Sequence, residues 1–242
     1  YVNGVPTIVD DVDFSEIKEW TPIGTKERPW TGEFNGNGKK LINFKSSQPL
    51  FGVCQDATIK GINFDKTSTV EFKGNYTGEK ILAALAGSIV NTTIQNCSNN
   101  ATISMDAIST TSHTYVSGLV GMADIDSYIV NCTNGGVINV AASTQADADS
   151  DFYVGGVVAY NEGTVSECTN FGCILAEKSG EIGPAWACSY NKIPANFTKN
   201  TGKGHVGSYA TYKDKPEDAD WDAYLNAVVS PAKEGYDMEE VT

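Results

Sequence analysis

The sequence is poor in cations: Arg28 is its sole arginine, and 17 basic side chains face 30 acidic ones, a formal net charge of −13. With no basic surplus to neutralise phosphates, the charge argues against nucleic acid or an anionic membrane as a partner. A lone guanidinium also weakens any chemistry that needs an arginine clamp on carboxylate or phosphate. Histidine is scarce as well, with only His113 and His205. No apolar run approaches about 18 residues, so no segment reads as a helix that spans a bilayer. No leader is legible either, and Tyr1 reads as the first residue of a trimmed or mature chain. Against these shortages stand 24 glycines and a 40% hydrophobic content, which together indicate a core reached through many turns.

The dominant feature is a repeat, and repeats decide fold before any motif does. Leu85-Ala86-Gly87 is followed by Thr93-Ile94-Gln95-Asn96-Cys97-Ser98-Asn99. Leu119-Val120-Gly121 is followed by Tyr128-Ile129-Val130-Asn131-Cys132-Thr133-Asn134, and Val157-Val158-Ala159 by Thr164-Val165-Ser166-Glu167-Cys168-Thr169-Asn170. Cys97, Cys132 and Cys168 lie 35 and 36 residues apart, and Ile62 holds the same place one copy earlier, after Leu50-Phe51-Gly52. Repeats thus fall near 49–64, 82–103, 115–140 and 153–175, with a degenerate copy at 182–204.

Each copy reads as short alternating strands separated by Gly, Asn or Asp. Too few strands are visible for a propeller blade, and Ile, Val, Cys and Ala stand where a leucine-rich repeat would put leucine. What remains is an all-β parallel β-helix, a solenoid of stacked coils about 4.8 Å apart. Equivalent residues should then stack: Ile59, Ile94, Ile129 and Val165 in one inward column, and Ile62, Cys97, Cys132 and Cys168 in another. Asn99, Asn134 and Asn170 should form a ladder of amides at the next turn, where asparagine tolerates positive φ. Gly52, Gly87 and Gly121 should mark close backbone packing or positive φ, and Tyr115 and Tyr153 a stacked pair. The polar segments Ser104–Thr114 and Ala142–Asp151 read as projecting loops. The β-helix domain is expected over 1–205, and 206–242 as a cap or linker. Trp221, Tyr224, Leu225 and Val228 place a short helix near 217–229.

Residues outside the repeat register are the natural functional candidates. Trp30, Tyr76 and Trp186 are the candidate ligand-binding residues: aromatic side chains there either stack on sugars or cover the solenoid's flank. Asp147, Asp149 and Asp151 space oxygens as a calcium loop would, yet lack its glycine and distal glutamate, and a solvated loop is the competing reading. Cys173 and Cys188 leave a pairing open. No residue set points to a catalytic centre, a cofactor or a metal.

The order Asp11-Val12-Asp13-Phe14, Trp20-Thr21-Pro22-Ile23-Gly24, Gly32-Glu33-Phe34-Asn35-Gly36-Asn37-Gly38 and Leu50-Phe51-Gly52, ahead of the L-V-G…I-x-N-C-x-N copies, resembles the GLUG-motif surface proteins of gut Bacteroidetes. The resemblance covers about residues 10–175, with Ala159 in place of the repeat glycine. It implies a right-handed, single-stranded parallel β-helix exported to the bacterial cell surface and labelled an adhesin. The expected function is a non-enzymatic binding protein whose partner is a host or bacterial surface glycan or protein. A polysaccharide lyase or glycoside hydrolase on the same scaffold is the first alternative, and a structural spacer in a surface assembly is the second.

Overall fold

A computed structural model describes residues 1–109, 113–140, 143–144 and 152–176, together with the strands Cys188–Asn191, Phe197–Thr198, Thr201–Gly202, His205–Gly207 and Ser230–Pro231. It is a parallel β-solenoid. One coil runs through strands Lys80–Leu82, Ala86–Val90, Thr93–Gln95, Ser98–Asn99 and Thr102–Ser109. The next runs through Thr114–Ser117, Val120–Ala123, Tyr128–Val130, Thr133–Asn134 and Ile138–Val140. A third continues through Phe152–Gly155, Val158–Asn161, Thr164–Ser166, Thr169–Asn170 and Cys173–Ala176. Strands stack on their equivalents into sheets of seven, ten, eight and three strands, all parallel except where Ser230–Pro231 runs antiparallel to His205–Gly207. Below these coils, Phe51–Lys60 is one unbroken strand that pairs with Ala86–Val90 at its start and Thr93–Gln95 at its end.

The columns read from the repeat are present. Ile59, Ile94, Ile129 and Val165 pair residue on residue and are fully buried. Ile62, Cys97, Cys132 and Cys168 are buried beside them. Because parallel pairing puts like above like, each coil rests its side chains on copies of themselves, and short Ile, Val and Cys side chains fill the interior. The N-terminal end is packed differently. Phe14, Trp20, Phe44 and Phe64 meet edge to face with ring centroids 5.2–5.6 Å apart. The apolar residues of the stretch that precedes the repeats therefore close over the first coils.

The asparagine ladder forms, but not at a left-handed turn. Asn99, Asn134 and Asn170 lie in two-residue strands and are fully buried, and none has positive φ. The Asn99 amide donates to Asn134 Oδ1 at 2.8 Å, and that of Asn134 donates to Asn170 Oδ1 at 2.7 Å. Each amide also donates two residues ahead, to Ala101, Gly136 and Gly172 carbonyls respectively. The left-handed corner comes three residues earlier, at Gly61, Asn96, Asn131 and Glu167, with φ of 66°, 54°, 50° and 56°. There the Asn131 amide donates to Asn96 Oδ1 at 2.7 Å on the exposed side. A corner that turns left-handed before a two-residue strand hides that strand from periodicity, which needs longer runs.

A second expectation is corrected at the segment Ser104–Thr114. It is strand, not loop, through Ser109, paired along its whole length with Thr69–Tyr76. Alternation explains this: Ile103 and Met105 are buried in the core, so the polar residues between them belong to the same strand. Gly52, Gly87 and Gly121 mark close approach, as expected: a Cβ on Gly121 would sit 2.7 Å from the Gly87 carbonyl and 2.1 Å from Ile81 Cγ2. Tyr115 and Tyr153 stack with centroids 5.4 Å apart and planes 11° from parallel. The strand His205–Gly207 spans the expected boundary at 205, with Cys173 paired to His205. The helix expected near 217–229, the acidic segment Asp147–Asp151 and Trp186 lie outside the described residues.

Two outcomes follow for stability. Asn134→Ala leaves the Asn99 amide and Asn170 Oδ1 each short of a buried partner, so a loss of about 2–4 kcal/mol is expected in urea unfolding. Thr133→Ala, on the outward side next door, should change it by less than about 0.5 kcal/mol; equal effects would remove the ladder's special weight. Glu167 is the corner residue least suited to positive φ, so Glu167→Asn should stabilise by about 0.5–1 kcal/mol. A lower midpoint for that variant would show that Glu167 is held there by contacts worth more than the strain.

Candidate functional site

Two of the three aromatic candidates are visible, and both pack against the solenoid. Trp30 is half-buried at the N-terminal end, its ring 6.1 Å from Phe51 and 6.3 Å from Phe34. It opens strand Trp30–Asn35, opposite Cys54, so it occupies an inward position of an end coil. Its Nε1 is buried without a hydrogen-bond partner among the described residues. Tyr76 ends strand Thr69–Tyr76, half-buried, with its ring edge-on to Phe72 at 5.9 Å and its hydroxyl bonded to Thr114 Oγ1. Lys80 Nζ lies 3.6 Å from the Phe72 ring centroid, and desolvation lowers the Lys80 pKa. Trp30 and Tyr76 thus pack against the same core, each with its own ring neighbours. Among the described residues no group of three or more His, Cys, Asp or Glu side chains is placed to hold a metal ion.

Several large side chains among the described residues stand out to solvent, Tyr1, Ile125 and Phe171 among them, and one of these lies in an outward column of the repeat. Tyr128 is 47% exposed, at the start of strand Tyr128–Val130. Alternation dictates its direction: Ile129 is fully buried, so Tyr128 and Val130 point outward. Thr93 and Thr164 are its register partners in the coils on either side, and Thr58 is one coil further. The parallel outward column holds Lys60, Gln95, Val130 and Ser166. The repeat offered a signal for this residue, since tyrosine replaces the threonine of the other three copies. Counting only residues between repeats as functional candidates passed over it.

The backbone of this face is fixed from both sides. Tyr128 N–H donates to the Thr92 carbonyl at 2.9 Å, and Thr164 N–H to the Ser127 carbonyl at 2.8 Å. The side chains, by contrast, are uncommitted. No bond within the described residues engages the hydroxyls of Thr58, Thr93, Tyr128, Thr164 or Ser166, or the Gln95 amide. Some hydroxyls elsewhere are used internally: Ser98 donates to Asn63 Oδ1, Ser117 to the Val120 carbonyl and Thr92 to the Val90 carbonyl. Those of Ser88, Thr102 and Thr133 are also unbonded among the described residues. The one ionic contact on the face is Lys60 with Glu33. Chemically, the face offers hydroxyls, an amide and one phenol ring, held at the spacing of the coils.

The described thiols offer no reactive centre. Cys54, Cys97, Cys132, Cys168 and Cys173 are free and buried. Desolvation raises the pKa of Cys54 and of Cys173 to about 12, and it also raises that of Cys97. Cys132 is raised chiefly by its hydrogen bond with Cys168. Cys132 Sγ instead serves the backbone, 3.3 Å from the Val130 carbonyl, and Cys168 Sγ is 3.3 Å from that of Ser166. A neutral thiol at pH 7 is a poor nucleophile and a poor metal ligand, so these residues act as small apolar fillers.

No family model matches the chain, and no curated protein matches it in sequence. Among solved structures, it is similar to a Bacteroides ovatus protein provisionally described as an immunoglobulin A1 protease. The two are 17% identical, with 84% of this chain and 70% of that one covered at a TM-score of 0.45. Likeness of that degree assigns no activity to this chain.

The buried thiols set a pH dependence whose sign is fixed. The folded pKa values of Cys54, Cys97, Cys132 and Cys173 lie above the ordinary value of 9.0, so the folded protein keeps protons that the unfolded chain releases. Stability is therefore full below about pH 9 and falls as the pH rises towards 12. Cys54→Val should make that fall shallower, and a thiol reagent should label the native protein far more slowly than the unfolded one. An unchanged alkaline slope together with rapid native labelling would remove burial as the controlling factor.

Proposed function

We propose that this chain is a non-enzymatic binding protein of the bacterial cell surface, an adhesin whose Tyr128 face recognises a surface glycan. The observation that carries this reading is the contrast on that face between a backbone bonded on both sides and side-chain hydroxyls with no partner among the described residues. Binding by a rigid surface loses little entropy on ordering, and a ring of exposed phenol among hydroxyls and an amide matches the two-sided character of a sugar, apolar on its faces and polar around its edge. The resemblance of the repeat frame to the GLUG-motif surface proteins supports an extracellular location. A net charge of −13 opposes a nucleic-acid partner. Catalysis asks for more than this face offers, since acid–base hydrolysis of a glycosidic bond uses two carboxyl groups on either side of the bond. The face carries Glu33, which is paired with Lys60.

The reading is tested by incubating the protein with a broad panel of polysaccharides, with and without calcium. Retardation of the protein in gels that contain one of them, with no growth of reducing ends or unsaturated products, is the expected result. Turnover that disappears on replacing a carboxylate would overturn it in favour of a lyase or hydrolase.

A further inference from the structure

Resting on that reading, we infer that the glycan is uncharged and that it lies along the stack of coils, with one pyranose ring on Tyr128. Both parts come from the layout of the outward side chains. The strip is two side chains wide, because each strand that builds it contributes two outward positions: Thr58 and Lys60, Thr93 and Gln95, Tyr128 and Val130, Thr164 and Ser166. Its two edges are the turns that hold Asp56, Asn91 and Asp126 on one side and Asn96, Asn131 and Glu167 on the other, all at positive φ. Across the strands it therefore spans one step of about 6.6 Å. Along the stack it runs from strand Trp30–Asn35 over five further strands, the last being Phe197–Thr198, roughly 24 Å at about 4.8 Å per coil. A ring and its glycosidic link take up about one coil of that length, so successive sugars of an extended chain keep step with successive coils.

With a ring against the Tyr128 phenol, Thr93 and Thr164 stand one coil to either side, within reach of the ring's own hydroxyls or those of its neighbours. Gln95 and Ser166 stand beside them in the second column, where the former can both donate and accept. Val130, next to Tyr128 on the same side of the strand, extends the apolar surface under the ring.

Charge settles the ligand class. Among the described residues, the strip's single cation and single anion are Lys60 and Glu33, and they neutralise each other. The remaining outward residues are hydroxyl, amide, phenol or apolar. At the edge, Asp56 is engaged by the Asn91 amide at 2.6 Å. An anionic glycan would meet no unpaired cation on the strip and would face a protein of net charge −13. A cationic one would find no unpaired carboxylate on the strip itself; Asp126, exposed and unbonded among the described residues, stands at its edge. The site is built for hydrogen bonds and a stacked ring, without ionic contacts.

The test is titration calorimetry of the intact protein with cellohexaose, xylohexaose, mannohexaose and maltohexaose as uncharged probes, hexagalacturonate as the anionic one and hexaglucosamine as the cationic one. At least one uncharged hexamer should bind, with affinity changing less than about twofold between about 20 and about 500 mM salt. Affinity should rise from the disaccharide to the tetrasaccharide of the same series. Tyr128→Ala should weaken binding about tenfold or more while leaving the melting curve in place, and Tyr128→Phe should retain most of it. Thr93→Val and Thr164→Val should each cost about threefold or more, and Thr133→Val on the neighbouring sheet nothing. Salt-sensitive binding confined to the charged hexamers would overturn the uncharged ligand and leave glycan binding standing. Affinity already saturated at the monosaccharide, or loss on Thr133→Val with Thr93→Val and Thr164→Val silent, would overturn the placement along the stack. Failure of every probe to bind would overturn this inference, and the polysaccharide gels then decide whether the wider reading falls with it.

Discussion

The structure depends on one constraint: every residue of a coil must pair, in register, with its equivalent in the coils above and below. A parallel sheet allows no local hairpin partner, so the backbone bonds of each strand are satisfied only by neighbours about 35 residues away in sequence. Once that spacing is fixed, most of the interior follows. Side chains stack on copies of themselves, which favours residues that pack well against their own kind. Ile, Val and a buried thiol do so in the columns of Ile94 and Cys132, and asparagine does so because a primary amide can donate upward and accept from below.

Much of this was legible in the sequence, because a vertical column is also a horizontal repeat. The shared frame around Cys97, Cys132 and Cys168 carried the solenoid, its inward columns and its close glycines directly. What escaped were features below the length at which alternation shows. The strands Ser98–Asn99, Thr133–Asn134 and Thr169–Asn170 are two residues long, and their asparagines looked like turn residues since turns lie on both sides. The long strand Thr102–Ser109 was obscured for the opposite reason: its polar residues alternate with the core residues Ile103 and Met105, and polarity alone suggested a loop.

The functional residues were harder to see for a related reason. A search outside the register finds the large aromatics Trp30 and Tyr76, whose apolar bulk the fold draws against Phe51, Phe34 and Phe72. Tyr128 sits inside the register, on the outward half of an alternating strand, where a large side chain has no core to join. In a solenoid, then, departure from the column is more informative than departure from the repeat. Threonine at 58, 93 and 164 sets the column, and the one tyrosine in it marks where the surface differs from a plain scaffold.

The direction of the backbone hydrogen bonds has a mechanical consequence. In every parallel sheet they point from coil to coil, along the axis of the stack and not around it. A pull along that axis loads them in sequence at the outermost coil, where a few bonds open before the next ones feel the force. Resistance is then low and nearly constant, and each coil that detaches releases on the order of 120 Å of chain. Such a body would yield by lengthening in steps, absorbing work at modest force while the coils still stacked keep their shape.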